Sequence, residues 1–102
     1  MKIHNKLVRD KIPQIIEASN KRPVFQILSD NAYITELERK LTEEIAEYQQ
    51  DKNLEEMADV LEVLYAICEA KGYTIEQLEE KGKEKFKERG GFKDKIYLEY
   101  VK

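Results

Sequence analysis

Four carboxylates in two pairs set the chemistry that this sequence can do. Glu44 and Glu47 stand three residues apart in KLTEEIAEY, and Glu56 and Asp59 stand three apart in LEEMADVL. On a helix, that spacing puts two side chains side by side on one surface. Little chain separates the two pairs, so their helices fold back antiparallel and the pairs can converge. Converging carboxylates repel each other unless a cation neutralises them. The donor set is all oxygen, with no His or Cys in reach by pattern, and it selects a hard ion, Mg²⁺ or Mn²⁺, over zinc or copper. A di-iron carboxylate bundle would need Glu-x-x-His repeats, and the one histidine, His4, lies outside the helices. The competing reading is that these acids form salt bridges with the basic residues of the last helix.

The elements that must position these acids follow from caps and periodicity. A first helix starts near Asp10 or Lys11, tolerates Pro13 in its first turn, and ends before Asn20. Residues 22–28, RPVFQIL, read as extended. A second helix starts after Ser29 or Asp30 and runs to about Gln50, with Ile34, Leu37, Leu41, Ile45 and Tyr48 as its apolar positions. Asn53 is the candidate N-cap of a third helix, which Gly72 stops. Thr74 and Gln77 form a capping box for a fourth, ending at Gly90-Gly91. The alternating tail FKDKIYLEYV reads as a strand that pairs with VFQIL.

The third helix is apolar on two sides. Leu54, Met57, Ala58, Leu61, Leu64, Tyr65 and Cys68 form one stripe; Val60, Val63 and Ile67 form a second, nearly opposite. Glu56 and Asp59 belong with the second. A small monomer has few layers to cover both, so the second stripe is expected to pack against another subunit. The expected fold class is therefore mainly α. It is a four-helix antiparallel arrangement with a short two-stranded β element near residues 24–28 and 95–100, and helices 2 and 3 form a shared oligomer core.

Length and charge narrow the function. The 102 residues suggest one domain. The net charge of −3 leaves no nucleic-acid footprint. Residues 36–59 hold nine acids against three bases. Lys6, Arg9 and Lys11 at the front, and Lys85 and Arg89 near the back, are the bases that could neutralise an anionic ligand. A single cysteine, Cys68, rules out a disulfide within the chain. No leader-like stretch or membrane-spanning run is visible, and the expected location is cytoplasmic.

At the acidic pairs the sequence resembles a known family. Glu43, Glu44 and Glu47, followed after a short gap by Glu56 and Asp59, resemble the EE-x-x-E and E-x-x-D pattern of the MazG-like, all-α nucleoside triphosphate pyrophosphohydrolases. NKLVRDKIP, LSDNAYITELERKLTEE and ERGGFKDKIYLE further resemble its small phosphoribosyl-ATP pyrophosphohydrolase-like subgroup, so the likeness spans nearly the whole chain.

That resemblance implies Mg²⁺-dependent hydrolysis of a nucleoside triphosphate to the monophosphate and pyrophosphate, by a homodimer or homotetramer. It implies Glu44, Glu47, Glu56 and Asp59 as metal ligands, with Glu43 and Glu44 as the catalytic acids and Glu43 orienting water. Lys6, Arg9, Lys11, Lys85 and Arg89 would meet the phosphates. Lys83 stands where several relatives carry an Asn before a Lys-Phe pair, here Lys85-Phe86, which is a departure from the pattern. Two other readings stay open: the histidine-biosynthetic hydrolysis of phosphoribosyl-ATP, and a non-catalytic helical scaffold or regulator whose acids bind a structural cation.

Overall fold

Four helices make up the computed structural model, which describes residues 1–102: α1 (Ile12–Ala18), α2 (Asp30–Asp51), α3 (Leu54–Ala70) and α4 (Ile75–Arg89). Three of them begin where a side chain satisfies an N–H group that the first turn leaves unpaired. The Ser29 hydroxyl accepts from the Ala32 N–H at 3.3 Å. The Asn53 side chain accepts from the Glu56 N–H at 2.9 Å. At α4 the capping box closes: the Gln77 N–H donates to Thr74 Oγ1 at 3.1 Å, and the Thr74 N–H donates to Gln77 Oε1 at 2.8 Å. α1 has no side-chain cap, but Pro13 lies in its first turn, where a missing N–H costs no helical bond.

The helix ends are equally local. Lys52 takes a left-handed conformation (φ 51°), and its N–H bonds back to the Tyr48 carbonyl at 2.7 Å. The next residue already caps α3, so α2 and α3 form a tight antiparallel hairpin. Lys71 Nζ, just past α3, lies 3.8 Å from Glu38 Oε1, two turns into α2, and marks the far end of the pairing. Gly72 stops α3 with φ 87°, a value that favours glycine.

The core lies between α2 and α3. Four residues are buried: Leu37 and Glu44 from α2, Val63 and Cys68 from α3. Leu37 and Glu44 are seven apart, as are Glu56 and Val63, so each pair falls on one helix face. The register divides α3 differently from the expectation. Val63, of the stripe expected to meet another subunit, packs within the chain with Val60 and Ile67 half-buried beside it; of the other stripe Cys68 is buried and Tyr65 half-buried, whereas Leu54, Met57, Leu61 and Leu64 remain exposed. Glu56 and Asp59 share the Val60–Val63 side, so the same register brings them to Glu44 across the seam. On α2, Ile45 is likewise exposed, outside the seam assigned to it from periodicity.

The expected two-stranded β element does not form; the molecule contains no strands. Val24, Phe25 and Ile27, and Ile96, Tyr97 and Leu98, are all exposed. A lone strand pair needs a covered apolar face to hold together, and nothing in the chain covers these segments.

α4 contacts α3 alone among the helices, and α1 contacts none. The Cys68 thiol donates to the Thr74 carbonyl at 3.3 Å and ties the α3–α4 turn. Beyond that turn α4 buries no residue. The result is an elongated chain, 61 Å along its longest axis, with a radius of gyration of 18.0 Å; a compact domain of this length has about 13 Å. No helix is long and apolar enough to cross a membrane.

Candidate metal centre

The α2–α3 hairpin brings three carboxylates to one point. Glu44 occupies the buried seam of α2, one turn after Lys40. The Asn53 cap starts α3 three residues before Glu56, and Asp59 follows one turn later on the same side. One carboxylate oxygen from each of Glu44, Glu56 and Asp59 lies within 4.8 Å of the others. Glu44 is buried; Glu56 and Asp59 are half-buried.

Two oxygens in this cluster have no partner. Glu44 Oε2 and Glu56 Oε2 are out of contact with solvent and accept no hydrogen bond. Buried acceptors are ordinarily satisfied, so each of these oxygens has unused capacity for a donor or a cation. The electrostatics agree. Desolvation raises the Glu44 carboxyl above its ordinary value; Lys40 opposes that rise, and Glu47 and Asp59 add to it. Desolvation also raises Glu56, with Glu47, Asp59, Asp51 and Glu44 acting in the same direction. The site is short of positive charge, and a hard divalent cation held by oxygen donors fits that deficit.

Three cations compensate part of it. Lys40 Nζ is 3.3 Å from both Glu44 Oε1 and Glu43 Oε1. Lys6 Nζ is 3.4 Å from Glu43 Oε1. Arg9 reaches across to α3, with Nη1 3.3 Å from Asp59 Oδ1 and Nη2 3.8 Å from Glu62 Oε1. The segment before α1 therefore lies over the acidic end of the hairpin.

The structure brings together some of the expected site residues and separates others. Glu44, Glu56 and Asp59 form the cluster. Glu47 is exposed and outside the three-group set, though its charge acts on both buried glutamates. Glu43 stands at the rim, half-buried between Lys6 and Lys40. Lys11 is exposed at the N-cap of α1 and makes no ion pair. Lys85 and Arg89 do not join the acids, because α4 contacts neither α2 nor the N-terminal segment's helix. Arg89 instead borders a shallow depression of about 190 Å³ with Phe86, Gly90, Gly91 and Phe92, which shares no residue with the cluster. Gly91 allows the close approach there; a Cβ would meet Phe86 Cε2 at 3.0 Å.

The acids thus pair with Lys6, Arg9 and Lys40, and not with the basic residues of α4. Lys40 and Glu62 escaped the reading of the sequence. Lys40 was visible as the i−4 neighbour of Glu44 on a helix; Glu62 carried no comparable signal, since only the path of the N-terminal segment brings Arg9 to it.

Comparison with known proteins adds little to this geometry. No family model matches the chain, and no solved structure matches it. A stretch of 41 residues is 54% identical to an uncharacterized protein of Mycolicibacterium smegmatis (strain ATCC 700084 / mc(2)155). The match covers 40% of this chain and 42% of that protein, less than half of either.

Proposed function

We propose that the protein is a Mg²⁺-dependent nucleoside triphosphate pyrophosphohydrolase that releases a nucleoside monophosphate and pyrophosphate. The observation that carries this reading is the seam itself: Glu44, Glu56 and Asp59 converge within 4.8 Å, and the buried Oε2 atoms of Glu44 and Glu56 lack partners. Glu44, Glu56 and Asp59 would hold the cation, with Glu47 adding charge from the rim; Mn²⁺ suits the same donors. When bound, the cation would supply positive charge at the phosphate oxygens and acidify a water. Glu43, paired with Lys6 and Lys40, would orient that water. Lys6 and Arg9 border the acids and can neutralise phosphate charge that the carboxylates would repel. Lys11 lies two residues beyond Arg9.

The resemblance also implies a homodimer or homotetramer, and two features support assembly. The exposed stripe of Leu54, Met57, Leu61 and Leu64 covers the first three turns of α3. The chain alone is far from compact. Lys85 and Arg89, remote from the acids of their own chain, would serve the phosphates if a second copy brought its α4 alongside.

A panel of nucleoside triphosphates plus phosphoribosyl-ATP, incubated with Mg²⁺ and assayed for released pyrophosphate, tests the reading. Pyrophosphate from a nucleoside triphosphate, abolished by chelation, is the expected result. Release from phosphoribosyl-ATP alone would move the assignment to that substrate. No release from any substrate would leave the acids as a structural cation site and reject the enzyme reading.

A further inference from the structure

The two cations beside the metal-binding carboxylates are held very differently. Lys40 is a fixture: its side chain is 15% exposed, and it rises from the same helix as its partner Glu44. Arg9 is not. Its side chain is 61% exposed, and it divides its guanidinium between two carboxylates, Asp59 and Glu62, one nitrogen to each. Neither contact uses the parallel two-bond fork that makes arginine–oxyanion pairs strong. Exposed single-point ion pairs of this sort contribute little. The Arg9 backbone is independently anchored, since its carbonyl accepts from the Ile12 N–H at 3.0 Å as α1 begins. The side chain can therefore swing without moving the chain.

We propose, resting on the functional reading above, that Arg9 is a displaceable internal counterion. Without a divalent cation it neutralises Asp59 and Glu62. A cation drawn to Glu44, Glu56 and Asp59 competes with it for Asp59. The released guanidinium then turns its fork to the phosphate that arrives after the metal. One residue would thus hold the acidic site together when empty and hold the anion when it is full. The order of binding follows: cation first, because it frees the group that receives the phosphate.

The mechanism predicts opposite effects of one substitution on two ligands. Mn²⁺ alone, followed by electron paramagnetic resonance of the free ion, should bind Arg9→Gln about two- to fivefold more tightly than wild type, because a competing charge has gone. Inorganic triphosphate, titrated calorimetrically at saturating Mn²⁺, should bind Arg9→Gln about tenfold or more weakly. Arg9→Lys keeps the charge without the fork; it should match wild type toward Mn²⁺ and still lose affinity for triphosphate. Arg9→Gln with unchanged or weaker Mn²⁺ binding overturns the proposal, as does unchanged triphosphate binding in both variants. Wild type that takes up no Mn²⁺ would instead defeat the functional reading on which the proposal rests. Circular dichroism on each variant confirms the fold, and Arg9→Ala, which also removes the charge, takes the place of Arg9→Gln in both titrations if that variant does not fold.

Discussion

Lys40 Nζ sits 3.3 Å from Glu44 Oε1, one helical turn away, and both side chains are largely shielded from water. The pair holds one oxygen of the only buried carboxylate in the molecule, and the other has no hydrogen-bond partner. Lys40→Met keeps most of the side-chain volume and removes the charge. Glu44 is then short of its one cationic partner, and the metal-free protein should lose about 1–3 kcal/mol. That corresponds to a fall of several degrees in Tm for a chain of this size, about 4–8 °C per kcal/mol. Saturating Mn²⁺ should restore part of the loss. An unchanged Tm in chelator would show that the pair contributes nothing.

The raised carboxyls of Glu44 and Glu56 make stability depend on pH. Each folded-state value lies above the ordinary 4.5, so the folded state binds protons more readily than the unfolded chain. These two groups therefore favour folding below 4.5, and that contribution is lost as pH rises through their raised folded-state values. The metal-free protein should melt at a higher temperature as pH is lowered from neutrality toward 4.5. Saturating Mg²⁺ should flatten the curve, because the charged forms would then be compensated. A metal-free Tm that falls steadily over this range would contradict the assignment of cause.

Substitutions at the cluster should separate ligands from neighbours. Glu56→Gln and Asp59→Asn should each cut turnover by about a hundredfold, with no loss of metal-free Tm, since each relieves like-charge repulsion. Glu47→Gln, at an exposed and screened position, should cost less than about tenfold. Steady-state rates at saturating Mg²⁺ with parallel melting curves supply the comparison. Equal losses at all three would make Glu47 a full ligand.

The two faces of α3 call for a paired experiment. Leu61→Lys places a charge on the exposed stripe and, if the proposed assembly uses that face, should leave a monomer in which the helical hairpin survives. Val63→Lys places one in the α2–α3 seam and should destabilise the fold by about 3 kcal/mol or more. Light scattering and circular dichroism together resolve the two outcomes. Normal mass for Leu61→Lys would show that the exposed stripe is not the interface.

Much of this architecture is written locally. Ser29, Asn53 and the Thr74–Gln77 box mark helix starts because capping involves residues only a few positions apart. The two acid pairs are legible for the same reason. What the sequence leaves open is non-local. Both stripes of α3 are apolar, and hydrophobicity alone does not choose between them; the packing against α2 does, and it carries Glu56 and Asp59 to Glu44. The tail's alternation suggests a strand, yet a strand exists only with a partner, and none reaches it. Helix length says nothing about the departure of α4, which depends on the turn at Gly72–Thr74 and leaves Lys85 and Arg89 away from the acids.

The two-residue turn at Lys52–Asn53 has a kinetic consequence. Nearly all of the buried contacts join helices that are adjacent in the chain, and low contact order favours fast folding. Closing that turn, however, also forces Glu44 toward Glu56 and Asp59 at the moment the hairpin zips. The barrier to folding therefore carries an electrostatic component that salt should screen and a divalent cation should remove. The ion suited to the finished site would then act first as an aid to the chain's own collapse.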